Sequence, residues 1–236
     1  MNSMNQLYAG NQSSVAFTGT PPRSAQRPIY LALDFDGVLH HAFSAPPNEQ
    51  LEATETGTLS PAAFIGLMHQ NNPADDCDCS SLFEYSAFVA EALRRHAQLQ
   101  IVIATAWRRH MSLDTLKAVM PVTLARRVIG VLDWADERTP EHHVVAGIRG
   151  RLMVQWLQAH GDPHAPWLAI DDMEELWRDH GDRLVQTPMS GMRWPEGQDL
   201  LDRLGVLAQT SPANLAALGV TDSILRKASI MQVMIR

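Results

Sequence analysis

Three apolar runs in this chain each stop abruptly at a residue capable of chemistry, and this arrangement constrains the fold more than any other feature. Ile29-Tyr30-Leu31-Ala32-Leu33 stops at Asp34, Gln100-Ile101-Val102-Ile103-Ala104 at Thr105, and Trp167-Leu168-Ala169-Ile170 at Asp171. Short runs without polar alternation suit strands buried on both faces, as in a parallel sheet. Val128 to Leu132 and Leu184-Val185 add weaker candidate strands. Helical spacing fills the intervals. It runs through Leu82, Phe83, Tyr85, Phe88, Val89, Ala92 and Leu93 over 82–96, and through Leu113, Leu116, Val119 and Met120 up to Pro121. It resumes through Ile148, Leu152, Met153, Trp156 and Leu157 over 147–160, with Gly161 as a stop, and through Leu200, Leu201, Leu204 and Leu207. Strands alternating with helices predict an α/β fold, a three-layer α/β/α core with a mainly parallel sheet. Ligands in such folds bind beyond the carboxyl ends of the strands. Asp34, Thr105 and Asp171 are therefore expected to converge on one crevice.

Other stretches have a different texture. Residues 1–27 are rich in Asn, Gln, Ser, Gly and Pro without an apolar period, and read as a mobile leader. Residues 42–81 are irregular and polar, and read as an insertion after the first strand. Within them Ser60-Pro61 looks like a helix cap followed by proline at the first helical position. Residues 208–236 read as a helical extension, with Ser211-Pro212 opening one short helix, Gly219 ending it, and Thr221 or Asp222 capping another. This divides the chain into a leader, a core over 28–207 carrying the 42–81 insertion, and the extension.

Charge and cysteine content narrow the function. Nineteen basic against twenty-six acidic residues leave a net charge of −7, which argues against holding nucleic acid by general electrostatics but leaves room for a small basic groove. Cys77 and Cys79 are the only cysteines, which fits a reducing cytoplasm. No run approaches the roughly 18 apolar residues of a membrane span, and no secretory signal is evident. A cytoplasmic location away from membranes is expected.

Four elements carry the chemistry. Asp34 and Asp36, two residues apart on an extended segment, point to the same side, and Gly37 lets the backbone turn away. Two close acids repel, so one tends to keep a proton while the other serves as nucleophile or metal ligand. Thr105 offers a hydroxyl to a phosphoryl oxygen, or caps the next helix. Arg149, with Arg151 beside it, offers a fixed cation at a helix start. Asp171-Asp172 adds hard oxygen ligands of the kind Mg²⁺ prefers, or caps the segment before Glu174 and Glu175.

With these residues in view, Leu33-Asp34-Phe35-Asp36-Gly37-Val38-Leu39 resembles the first motif of the haloacid dehalogenase (HAD) superfamily of phosphotransferases. Thr105 matches its second motif, Arg149 its basic third and Asp171-Asp172 its acidic fourth. Leu82-Phe83-Glu84, Ala104 to Arg108, Arg149-Gly150 before Trp156-Leu157, and Trp167 to Asp172 are similar to the HAD domains of bacterial RNA-repair (Swiss Army Knife) proteins. The resemblance covers roughly residues 28–207 and implies a Rossmann-like HAD core with a small cap or flap at 42–81. It also implies that Asp34 attacks a phosphate monoester to form an aspartyl-phosphate, and that Asp36 acts as general acid and then base. Asp34, Asp36 through its carbonyl, Asp171 and Asp172 hold Mg²⁺ in such a site. Thr105 and Arg149 hold the phosphoryl oxygens, and backbone amides after Asp34, around Gly37, add donors. Lysine is common at the third motif; Arg149 keeps the charge but cannot shuttle a proton, and Arg151 competes for the assignment.

Several further residues invite a role. His40 and Arg108 are candidate substrate contacts, with a loop histidine and a surface ion pair as the alternatives. Cys77-Asp78-Cys79 lacks zinc-site spacing. The expected activity is a Mg²⁺-dependent phosphatase acting on a phosphorylated small molecule, a nucleotide or a nucleic-acid end. The alternative is a non-catalytic or regulatory binding module on the same scaffold. A phospho-receiver would need a strand-end aspartate between Asp36 and Thr105, and no GxxxxGK[ST] or GxGxxG motif is present.

Overall fold

The computed structural model describes residues 27–42, 60, 63, 82–133, 137 and 144–209. Five strands form one sheet: β1 (Ile29–Leu33), β2 (Leu99–Ile103), β3 (Val128–Val131), β4 (Trp167–Asp171) and β5 (Leu184–Gln186). Their order is β3-β2-β1-β4-β5, and every pairing is parallel. β1 sits at the centre because it must be buried twice. Ile29, Leu31 and Leu33 enter one apolar cluster while Tyr30 and Ala32 enter the other. One uninterrupted apolar run thus supplies both cores.

Helices cover both faces. On one side lie α1 (Ser86–Arg95), α2 (Leu113–Val119), α3 (Val122–Ala125) and α5 (Trp194–Gln209). On the other lie α4 (Ile148–Ala159) and a 3₁₀ segment, Glu174–Arg183. A second 3₁₀ turn spans Ala106–Arg109. This is the expected three-layer α/β/α Rossmann-like core.

Local chemistry sets the element ends. Ser112 Oγ accepts from Thr115 N at 3.2 Å and starts α2, which stops at Met120 before Pro121. α1 begins later than its apolar period predicts, at Ser86 rather than near Leu82. Phe83 is left-handed at φ +63, and Tyr85 N is drawn off to Leu39 O at 2.9 Å, so the first turn cannot be helical. α5 begins earlier than its leucines predict. Arg193 N donates to Glu196 Oε2 at 2.9 Å, a reach-back that starts the helix at an exposed Trp194. Ser60 Oγ accepts from Ala63 N at 3.2 Å, as expected of a cap.

Apart from a few edge residues and Ser60 and Ala63, the leader at 1–27, the flap at 42–81 and the extension at 208–236 lie outside the described residues, as do Cys77 and Cys79. Among the described residues no helix is long and apolar enough to cross a membrane.

The strand order positions the site. From β1 the chain builds outward through β2 and β3, then returns to β1's other edge with β4 and β5. The crevice at this reversal opens at the carboxyl ends of the strands.

Candidate active site

The strand ends are in register at the crevice. Leu33 pairs with Ile103 on one side and Ile170 on the other. Asp34 N donates to Ile170 O at 3.1 Å, and Ala104 N donates to Leu33 O at 2.8 Å. Asp34, Thr105 and Asp171 therefore leave three adjacent strands at one level. One carboxylate oxygen from each of Asp34, Asp171 and Asp172 lies within 4.8 Å of the others.

The Asp34-to-Leu39 segment turns tightly. Val38 N and Leu39 N both donate to Phe35 O, at 3.1 and 2.9 Å, and Gly37 adopts φ +67. Thr187 Oγ1, just past β5, donates to Gly37 O at 2.7 Å. A Cβ on Gly37 would strike the carboxylate of Asp172. Glycine here meets two requirements, a left-handed backbone and room for an acid above it.

Asp36 stands apart from the acidic trio. Its Oδ1 lies 3.0 Å from His40 Nε2, and its Oδ2 accepts from Trp107 Nε1 at 2.8 Å. His40 and Trp107 are fully buried, packed with Phe83 and, for Trp107, Phe35. Loss of water raises the Asp36 carboxyl above the usual range; the His40 bond and charge oppose this, and the charge of Asp34 adds to it.

Arg149 is buried at the opposite side. Its Nη1 donates to Asp171 Oδ2 at 2.5 Å and stands 3.2 Å from Asp34 Oδ2. Its Nε and Nη2 donate to Glu137 Oε1 and Oε2 at 2.8 and 2.9 Å. Burial alone would lower its basicity, but Asp171, Asp34 and Glu137 outweigh that and hold it well above normal. Arg108 Nη2 donates to the same Glu137 Oε1 at 2.6 Å, and its Nη1 to the carbonyls of Ala104 and Thr105, both at 2.6 Å. Burial pushes the Glu137 carboxyl up, yet the two guanidiniums prevail and hold it below the usual range. Thr105 is buried and caps the next turn, its Oγ1 accepting from Trp107 N at 3.4 Å. Among the described residues no acceptor takes its hydroxyl proton.

The acids fit a hard divalent cation. Desolvation, with the charge of Asp34, pushes Asp171 up to about 6, although Arg149 opposes this. Desolvation and the charges of Asp34 and Asp171 push Asp172 up to about 7. The negative charge gathered here thus exceeds what Arg149 neutralises. The donors are all oxygens, without a thiol or imidazole, which suits Mg²⁺. Asp171 is also fixed from behind: Trp177 Nε1 donates to its Oδ2 at 2.7 Å and Met173 N to its Oδ1 at 2.9 Å.

The structure thus gathers Asp34, Asp36, Gly37, Thr105, Arg149, Asp171 and Asp172 around one crevice. Arg149 rather than Arg151 reaches the acids, because Arg151 is half exposed and pairs with Asp179. Two expectations need correction. His40 and Arg108 are not placed to meet a substrate from the surface; His40 is sealed against Asp36, and Arg108 is committed to Glu137 and two backbone carbonyls. The structure adds Glu137 and Trp177 to the site. The strand-end rule applied to β3 points to the segment holding Glu137; no spacing marks Trp177.

The family described as "HAD domain in Swiss Army Knife RNA repair proteins" matches residues 30–196. Among solved structures, the chain is similar to the HAD domain of the effector protein Lem4 from Legionella pneumophila, at 20% identity over 78% of this chain and 98% of that one, with a TM-score of 0.41. An inactive mutant of the same domain matches at 19% identity over 78% and 97% of the two chains, also with a TM-score of 0.41. No curated protein matches. With well over half its length matched and its acids at the strand ends of a parallel sheet, the chain belongs to the family of HAD domains found in Swiss Army Knife RNA repair proteins.

Proposed function

We propose that the protein is a cytoplasmic, Mg²⁺-dependent phosphomonoester hydrolase that works through an aspartyl-phosphate at Asp34. The observation that carries this reading is the unlike setting of two carboxylates two residues apart. Asp34 lies against Arg149 among the acids, whereas Asp36 is held separately by His40 and Trp107 with its proton affinity raised. Such a split supports Asp34 as the nucleophile and Asp36 as the acid.

Arg149 engages Asp34 Oδ2 and leaves Oδ1 as the attacking oxygen. As the bond from Asp34 to phosphorus forms, the bond to the leaving oxygen breaks, and Asp36 gives that oxygen its proton. In the second step Asp36 takes a proton from water, the water oxygen bonds to phosphorus, and Asp34 is released with inorganic phosphate. Thr105 and Arg149 hold the phosphoryl oxygens throughout. Asp34, the Asp36 carbonyl, Asp171 and Asp172 are the residues that would hold Mg²⁺, which when bound screens the nucleophile from the phosphate and offsets developing charge.

The substrate we favour is a nucleotide or a phosphorylated nucleic-acid end. The family's association with RNA repair supports it, and the net charge of −7 weighs against a long electrostatic footprint. The test is hydrolysis by the full chain, with and without Mg²⁺, of nucleotides, sugar phosphates and oligonucleotides carrying 2′-, 3′- or 5′-phosphates. Release of phosphate only with Mg²⁺, and best from one nucleotide or end type, is expected. No release from any of them, with Mg²⁺ bound, would turn the reading toward a non-catalytic module.

A further inference from the structure

The two arginines behind the crevice share one carboxylate. Arg149 presents Nε and Nη2 to Glu137 as a fork, at 2.8 and 2.9 Å, while its Nη1 serves Asp171 and Asp34. A fork fixes the plane and rotation of a guanidinium, which a single contact cannot do. Of the five N–H protons of Arg149, this leaves one on Nη2 for a phosphoryl oxygen. Glu137 Oε1 also accepts from Arg108 Nη2 at 2.6 Å. Arg108 in turn clasps the carbonyls of Ala104 and Thr105, the turn that presents the Thr105 hydroxyl. The backbone of Glu137 is itself anchored, its carbonyl accepting from Val145 N at 2.8 Å.

We propose that Glu137 is the positioning residue of the phosphate subsite, setting the orientation of Arg149 directly and that of Thr105 through Arg108. This rests on the phosphatase reading of the same crevice. Neither arginine can hold this arrangement alone. Both guanidiniums are almost wholly buried, and without a carboxylate between them they would repel and rotate apart. A lysine at position 149 could not make the fork while also reaching Asp34 and Asp171.

The experiment uses the full chain, with inorganic phosphate as the probe by calorimetry and p-nitrophenyl phosphate as the substrate. Glu137→Gln keeps the shape and removes the charge. It is expected to weaken phosphate binding and raise KM about tenfold, the scale of a charge-assisted hydrogen bond lost. The thermal shift produced by Mg²⁺ should persist, because Glu137 is no ligand. On an Arg149→Lys background, where no fork exists, the same change should cost less than on the parent, keeping only the part that runs through Arg108 and Thr105. Glu137→Asp, which keeps the charge but is too short to span both arginines, should fall between parent and Glu137→Gln.

Phosphate affinity within about twofold of the parent in Glu137→Gln, whether or not melting temperature falls, would overturn the proposal and leave Glu137 a structural residue. Equal losses on the parent and Arg149→Lys backgrounds would do the same. Should Glu137→Gln not fold, Glu137→Asp decides by the same affinity criterion. A parent that binds phosphate yet hydrolyses nothing refutes the phosphatase reading alone, because the binding arm still tests Glu137. A parent that neither binds nor hydrolyses refutes both.

Discussion

Gly37 lies directly beneath the carboxylate of Asp172, so close that a single added methyl group would overlap it. The turn after Asp34 and the acidic pair at the end of β4 are thereby fitted to each other, although 134 positions separate Gly37 from Asp172 in a chain of 236 residues. Gly37→Ala is expected to destabilise the fold by about 1–2 kcal/mol from the left-handed backbone alone. It should also displace Asp172, so the Mg²⁺ concentration needed to raise the melting temperature should increase. A variant that melts lower but responds to Mg²⁺ like the parent would show that Asp172 does not depend on this contact.

Asp34→Asn should remove turnover while leaving the melting temperature close to the parent's. The amide has the same shape and keeps an oxygen for Arg149, but it is not a nucleophile. A fall of at least about a thousandfold in kcat is expected, the scale seen when a nucleophile is removed. Retained turnover in a clean preparation would place the nucleophile elsewhere.

Trp107→Phe deletes the donor to Asp36 Oδ2 but keeps a ring against Phe35 and Phe83. A poorly held acid matters most when the leaving oxygen needs a proton. The variant should lose about tenfold in kcat on an alkyl monoester and much less on p-nitrophenyl phosphate, whose leaving group departs unaided. Equal losses on the two esters would separate Trp107 from proton delivery.

Metal response should depend on pH in a defined direction. In the ion-free protein the carboxyls of Asp171 and Asp172 are pushed up to about 6 and about 7, from an ordinary value of 3.8. Between about pH 4 and pH 7 the native state thus holds more protons than the unfolded chain, and these groups lower stability as pH rises. A cation replaces those protons, so the Mg²⁺-induced gain in melting temperature should be small at pH 5 and large at pH 8. Scanning melts at both pH values give the comparison, and a pH-independent gain would contradict it. Asp172→Asn should flatten the profile.

The legible parts of this chain were those whose burial leaves a one-dimensional trace. β1, β2 and β4 are buried on both faces, and their unbroken apolar runs end within a residue of the observed strands. The acids follow because strand ends are marked by where those runs stop. The first turn of α5 is different: Trp194 is exposed and leaves no period to read. His40 and Arg108 read as candidate substrate contacts because their types are usually exposed, and only packing reveals Asp36 and Glu137 as their partners. Glu137 lies in a stretch without period, and its role exists only once β2, β3 and α4 bring two arginines to it.

The strand order also sets when the site can come into being. β4 flanks β1 and β5 flanks β4, yet both follow α4 in the sequence. A nascent chain released only as far as Gly161 would carry Asp34, Asp36, Thr105 and Arg149 without Asp171 and Asp172. Its Asp34 would keep Arg149, itself paired with Glu137, but would lack the other two acids of the cradle. In the proposed reading the residues beyond Gly161 complete the cation cradle, and a chain halted before them is expected to stay inert.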